Sequence, residues 1–168
     1  AMPGDQVAVT GYLGSSAGGL EIMLKGLTVH GDSAEHLKAA HRRPEPCVPH
    51  GQVLSSHGVR AATDISDGLV DDLSKLSRAS GLAARVEAGG LPIHTALKEV
   101  FPEEYMEMSL GGGEDYQLLF TASPDLMERV LPLLEPPACV VGQIVAGEAG
   151  RVVVVDPETG AERSSGRR

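Results

Sequence analysis

Two carboxylates and a hydroxyl group stand close together at Asp64, Ser66 and Asp67, where the sequence predicts that a strand gives way to a helix. A second cluster, at 111–116, reads Gly-Gly-Gly-Glu-Asp-Tyr. Its glycines allow the backbone to turn sharply and to approach a ligand closely. Carboxylate oxygens suit Mg²⁺, which usually takes one or two of them together with water and substrate phosphates. The two clusters therefore favour hard-cation chemistry on an anionic substrate, with phosphoryl transfer as the first hypothesis.

The first cluster has two interpretations. If Asp64 ends a strand and Asp67 begins a helix, both lie at the edge of the sheet where open α/β folds bind ligands. The free N–H groups of that helix, with the Ser66 hydroxyl, can then hold a phosphate oxygen. Alternatively, Ser66 or Asp67 is an ordinary N-cap of the helix. Asp71 and Asp72 follow one turn later and are interpreted as structural, because negative charge there suits the helix dipole.

The second cluster is also open to two interpretations. A glycine-rich turn that presents Glu114 and Asp115 can bind a cationic group or a metal ion. The same residues can form a solvated corner between two strands. The motif alone does not separate these possibilities.

Several functional classes are disfavoured by composition and motif content. The chain of 168 residues carries a net charge of −9, which argues against a nucleic-acid partner. No apolar run reaches the roughly 20 residues that a membrane-spanning helix needs. There is no GxxxxGK[ST] loop, no GxSxG elbow and no histidine pair at metal-binding spacing. The two cysteines, Cys47 and Cys139, form no disulfide framework, and we expect a cytoplasmic protein.

The remaining pattern predicts one α+β domain over residues 4–158 and a polar tail over 159–168. Ser15 or Ser16 is predicted to cap a helix that runs to about Leu27. Gly18 and Gly19 in that helix indicate either a strand or ligand close to its first turn or close packing alone. Residues 139–145 and 151–156 are predicted to form a last pair of strands. Strands and helices alternate along the chain, which indicates helices packed against a mixed sheet.

Taken in order, the segments GDQVAVTGYLGSSAGGL, RRPEP, AATDISDGLVDDLSKL, GGGEDYQLLFT and VVGQIV resemble the thiamine-monophosphate kinase family. The likeness covers roughly residues 4–145, and this region resembles the C-terminal half of those enzymes. This family belongs to the aminoimidazole-ribonucleotide synthetase superfamily. The resemblance implies an α+β C-terminal domain with a mixed sheet flanked by helices, and an N-terminal half that supplies most of the ATP and metal site and is absent here.

The resemblance also implies an activity and its partners. The whole enzyme transfers the γ-phosphoryl group of ATP directly to thiamine monophosphate, with several Mg²⁺ ions between the charged groups, and works as a homodimer. By resemblance, Asp64 and Asp67 are Mg²⁺ ligands, Ser66 contacts ATP and Glu114 contacts the thiamine moiety. No residue of this chain is expected to act as a covalent catalyst, and the chain alone is expected to be inactive.

This chain departs from the family at two places. Family members tend to place an aromatic residue near the C-terminus, against the substrate, whereas no aromatic residue follows Phe120 here. Position 117 is glutamine where an acid is common, which is expected to change only a surface charge. The competing hypotheses are a sister ATP-dependent enzyme with another acceptor, such as aminoimidazole-ribonucleotide or selenophosphate synthesis, and a non-catalytic binding or scaffold domain.

Overall fold

The computed structural model describes residues 1–29, 31–156 and 159–165. The strands are β1 (Gln6–Thr10), β2 (Ala61–Asp64), β3 (Ala83–Glu87), β4 (Leu118–Ala122), β5 (Ala138–Val145), β6 (Val152–Val155) and β7 (Glu162–Ser165). The helices are α1 (Ser15–Lys25), α2 (Asp32–Arg42), α3 (Val48–Ser56), α4 (Leu69–Ala79), α5 (Thr95–Val100), α6 (Tyr105–Gly111) and α7 (Pro124–Val130).

The described strands form one sheet in the order β2-β4-β1-β5-β3-β6-β7. Strands β3 and β6 are parallel, whereas the other neighbouring strands are antiparallel. The predicted α+β fold with a mixed sheet is therefore confirmed. Along β1, Val9 packs in a cluster with Leu73 of α4. Its neighbour Ala8 packs in another cluster with Leu54 of α3 and Met127 of α7, so helices cover both faces of the sheet.

The prediction that the last two strands form a pair was wrong. Strands β5 and β6 are not neighbours, because β3 lies between them and pairs with both. The segment predicted as a polar tail contains β7, which pairs antiparallel with β6 from Val152 to Val155. Its polar composition is typical of an edge strand, where charged side chains prevent pairing with the strand of another molecule. The predicted domain end at residue 158 and the last tail residues, 166–168, lie outside the described residues.

Helix α1 packs very closely against α2. A methyl group added at Gly19 would lie 2.0 Å from the carbonyl oxygen of Leu37 and 3.1 Å from the Cβ of His41. The glycine at position 19 therefore allows close packing, and the element packed against it is the backbone of helix α2. None of the described helices has the length and apolar character needed to cross a bilayer.

The Gly19 contact gives a stability prediction. Gly19→Ala should lower the free energy of unfolding by about 2–4 kcal/mol, because the added methyl group forces α1 and α2 apart. Gly51→Ala in α3 is the matched control, since its methyl group would meet only Leu118 Cδ1 at 3.8 Å. That variant should be neutral or more stable by up to about 1 kcal/mol. Urea unfolding of both variants tests this, and equal effects at the two positions would contradict it.

Candidate functional site at the meeting of the two acidic motifs

The two acidic motifs lie side by side, although they are far apart in the sequence. The N–H of Glu114 donates to the Ser66 carbonyl at 2.9 Å, and the N–H of Tyr116 donates to the Ile65 carbonyl at 2.9 Å. The N–H of Ile65 donates in return to the Gln117 carbonyl at 2.8 Å. These bonds continue the β2–β4 pairing beyond the ends of the strands. The structure therefore joins both motifs into one surface.

Glycines make this close approach possible. A Cβ at Gly113 would lie 2.5 Å from the carbonyl oxygen of Ser66. Gly68, at φ +114°, would place a Cβ 2.8 Å from the carbonyl oxygen of Gly111. Any side chain at either position would push the two loops apart. The glycines of both motifs thus serve backbone contact between the motifs.

The second motif holds two non-glycine residues in the left-handed region of backbone space. Glu114 has φ 65° and Tyr116 has φ 51°. Such conformations are uncommon for side-chain-bearing residues and cost about 1–3 kcal/mol each. They bracket Asp115, which is buried, while the side chain of Glu114 is 54% exposed. The strained backbone therefore turns one carboxylate into the fold and presents the adjacent one at the surface.

Asp115 caps helix α1 from a distance. Its carboxylate accepts hydrogen bonds from the N–H of Gly14 at 2.6 Å and of Ser16 at 3.1 Å. Burial raises the pKa of Asp115 to about 6, and the two backbone hydrogen bonds oppose that rise. The prediction that Ser15 or Ser16 caps this helix was wrong, because Gly14 occupies the N-cap position without a side-chain cap bond.

Glu114 faces His41 of α2. The Glu114 Oε2 atom lies 3.4 Å from His41 Nδ1, and the same nitrogen lies 2.9 Å from Ser16 Oγ. A nucleophilic serine triad needs the acid and the serine on opposite ring nitrogens. Because both partners here use Nδ1, this group does not form such a relay. Its arrangement instead fixes Glu114 as an exposed carboxylate beside an imidazole.

The first motif is held by Asp72 of α4. This buried carboxylate accepts hydrogen bonds at 2.9 Å from the N–H groups of both Ser66 and Asp67 on a single oxygen, Oδ2. Gly68 is the N-cap of α4, so the prediction that Ser66 or Asp67 caps it was wrong. Those two N–H groups are therefore not free for a phosphate, whereas the Ser66 hydroxyl forms no hydrogen bond within the described part of the chain.

Asp64 and Asp67 both carry exposed carboxylates but line different depressions. Asp64 lines an apolar groove of about 540 Å³ together with Val48 and Tyr116. Asp67 lines a polar cleft of about 700 Å³ and pairs with Lys75. Over the described residues, no group of three or more His, Cys, Asp or Glu side chains is arranged to hold a metal ion.

Residues 2–155 match the family described as AIR synthase related protein, C-terminal domain. The chain belongs to this family. The thiamine-monophosphate kinase of Escherichia coli (strain K12) is 38% identical over 164 residues, which cover 94% of this chain and 50% of that protein. The chain thus spans about half the length of the curated relatives it matches.

Solved structures of similar proteins share the fold. A thiamine-monophosphate kinase from Stenotrophomonas maltophilia K279a has a TM-score of 0.84 and 34% identity, over 97% of this chain and 52% of that chain. AaThiL complexed with AMPPCP and TMP has a TM-score of 0.81 and 32% identity, over 98% of this chain and 52% of that one. The resemblance inferred from the sequence motifs is confirmed.

Within this AIR synthase related C-terminal domain, the sequence motifs pointed to Asp64, Ser66, Asp67 and Glu114. The structure joins the backbones of Ser66 and Glu114, whereas Asp64 and Asp67 line different depressions. The sequence pattern assigned no site role to Asp72 or His41. The signal for Asp72 was present, since an acid one turn into a helix can reach back to the N–H groups that precede it. No local signal points to His41, because its contact with Glu114 exists only after α2 packs on α1.

Gln117 makes hydrogen bonds inside this AIR synthase related C-terminal domain. Its Oε1 accepts a hydrogen bond from Thr10 Oγ1 at 3.0 Å and one from Cys47 Sγ at 3.1 Å. The side chain therefore ties the start of β4 to the end of β1 and to the segment before α3. A glutamate would offer the same acceptor oxygen at this position.

Proposed function

We propose that this chain is the C-terminal domain of a kinase that transfers the γ-phosphoryl group of ATP to thiamine monophosphate and forms thiamine diphosphate. The observation that carries the proposal is the hydrogen-bonded junction of the two motifs, which brings Ser66 and Glu114 onto one surface. The similar proteins named as thiamine-monophosphate kinases support it, as does the related AaThiL structure with AMPPCP and TMP.

In this proposal, Asp64 and Asp67 are Mg²⁺ ligands, Ser66 contacts ATP and Glu114 contacts the cationic thiamine moiety. The two carboxylates fit Mg²⁺, because both are exposed and Asp67 already contacts a cation, the ammonium of Lys75. Because Asp64 and Asp67 line different depressions, each would contribute one carboxylate to its own Mg²⁺ ion, and substrate phosphates and water would complete the shell. Bound Mg²⁺ would neutralise the phosphate oxygens and reduce repulsion between donor and acceptor.

The chain's own groups act by positioning in this mechanism. Asp72 holds the Ser66–Asp67 backbone, so the Ser66 hydroxyl is presented at a fixed place. The left-handed backbone of Glu114 directs its carboxylate outward, beside His41. Direct transfer needs no covalent nucleophile from the protein, because the phosphate of thiamine monophosphate attacks the γ-phosphorus and ADP leaves. Orientation and charge neutralisation therefore supply the rate enhancement.

The proposal requires a second half of protein. The absent half would contribute further metal and ATP ligands, as the length of the relatives supports. We also propose that the complete enzyme is a cytoplasmic homodimer. Without its other half, this chain should convert no thiamine monophosphate, since it offers only part of a metal shell.

The test joins this chain to the remaining half of the Escherichia coli relative and follows thiamine diphosphate formation. We expect product that depends on ATP and Mg²⁺ from the joined protein, and none from the isolated chain at equal concentration. Turnover by the isolated chain would contradict the need for a second half. A folded joined protein that binds ATP but forms no product would point to a sister acceptor or to a non-catalytic domain.

A further inference from the structure

Lys75 of α4 stands among three carboxylates. Its Nζ contacts Asp67 Oδ2, lies 2.8 Å from Asp72 Oδ1 and lies 3.2 Å from Asp71 Oδ2. A lysine side chain is cationic at neutral pH, so these three contacts are ion pairs. One of its partners, Asp67, is a carboxylate that the proposed function assigns to a metal ion.

The three contacts differ in how firmly they are fixed. The side chain of Asp72 is 4% exposed, and its other oxygen is bound to two backbone N–H groups. The side chains of Asp67 and Asp71 are 63% and 66% exposed. Asp72 is therefore the fixed anchor of the ammonium, whereas Asp67 and Asp71 are partners that can be exchanged. Loss of Asp67 would leave Lys75 with Asp72 and with Asp71, its i−4 neighbour on the helix.

The surrounding cleft has a balanced charge. Apart from Lys75 and its exposed aspartates, Arg78, Arg151 and Glu148 also line it. Three basic and three acidic side chains thus share a volume of about 700 Å³. If the Lys75 ammonium leaves Asp67, it exposes the negative charge of that carboxylate. If it stays, it occupies the carboxylate oxygen and repels a second cation.

We propose that Lys75 is a positioning residue that acts as an internal counter-cation for Asp67. It holds the Asp67 carboxylate while no divalent ion is bound, and it withdraws onto Asp71 and Asp72 when a divalent ion takes its place. Lys75 therefore sets the divalent-ion affinity of this aspartate. The inference rests on the proposed role of Asp67, and it adds a residue that the family resemblance did not assign.

The test measures Mn²⁺ binding to the 168-residue chain through the electron paramagnetic resonance signal of free Mn²⁺, without nucleotide or acceptor. Lys75→Gln should tighten Mn²⁺ binding by about three- to ten-fold, because it removes a competing cation of modest strength. The matched control is Lys38→Gln on α2, which removes an equal charge from an exposed pair with Glu35. That variant should change binding less than about two-fold, through long-range charge alone.

A double variant separates this mechanism from a general charge effect. In an Asp67→Asn background, Lys75→Gln should no longer tighten Mn²⁺ binding beyond the effect of Lys38→Gln. Equal effects of the two lysine substitutions, weaker binding by Lys75→Gln, or no Mn²⁺ binding by any of the proteins would overturn the proposal. Urea unfolding confirms that each variant is folded. Because the assay contains no substrate, its outcome is independent of whether the joined protein phosphorylates thiamine monophosphate.

Discussion

Asp64→Asn in the joined two-half protein should lower kcat/KM for thiamine monophosphate by about 10²- to 10³-fold. The substitution keeps the size of the side chain and removes the charge of one proposed metal ligand, and such electrostatic contacts supply several kcal/mol to a transition state. Asp64 is exposed, and no Lys, Arg or His of the described residues pairs with it. Its loss should therefore leave folding unchanged. Steady-state rates and thermal unfolding of the same preparation measure both effects.

The matched control for this prediction is Asp125→Asn. It removes an equal charge from an exposed carboxylate in the first turn of helix α7. We expect its kcat/KM within about three-fold of the parent protein, because a screened surface charge contributes little. Comparable losses in the two variants would show that net charge, rather than Asp64 itself, is responsible. A folded Asp64→Asn protein with nearly full activity would remove Asp64 from the metal site.

The second large effect concerns Asp115 and stability. Its pKa is raised from 3.8 to about 6 in the folded chain. The folded state therefore binds this proton more tightly than the unfolded state, and the free energy of unfolding should fall as the pH rises from about 4 to about 6. A pKa change of this size lowers the free energy of unfolding by about 3 kcal/mol across that pH range.

Asp115→Asn isolates the contribution of this group, because the amide does not titrate. Between pH 4 and pH 7, the parent chain should lose about 3 kcal/mol of unfolding free energy relative to the Asp115→Asn variant. Urea unfolding at four or five pH values measures it. Asp125→Asn, at an exposed carboxylate in the first turn of α7, is the control and should follow the parent curve in parallel. Parallel curves for Asp115→Asn would instead show that its carboxylate is well solvated.

The site combines residues with two separate duties. Asp72 and Asp115 are buried acids that accept backbone N–H groups and give the two loops their shape. Asp64, Asp67 and Glu114 are exposed acids available to ligands. In both motifs a structural acid thus stands close in sequence to a proposed ligand-binding one. Substitutions of the first group should reduce stability, and substitutions of the second should reduce activity.

The sequence alone predicted the α+β fold class and several of the elements, and it supplied the hypothesis about the exposed acids. The strands predicted at 139–145 and 151–156 correspond to β5 and β6, because a short apolar run favours a buried strand regardless of which strand lies beside it. The close approach at Gly19 was predicted because a glycine inside a helix is costly unless something needs the space. Asp64, Ser66, Asp67 and Glu114 were proposed as site residues because their residue types and their order resemble one family.

The tertiary structure decided which acid serves which purpose and which strands are neighbours. The contact of Asp115 with Gly14 joins residues that are 101 positions apart, so no local pattern contains it. Ser66 and Asp67 carry good N-cap residue types, but the buried Asp72 takes their N–H groups because folding fixes its carboxylate beside them. Strand β3 enters between β5 and β6 because the pairing order depends on the packing of the whole sheet. Local propensity selects elements, whereas contacts between distant residues select their arrangement.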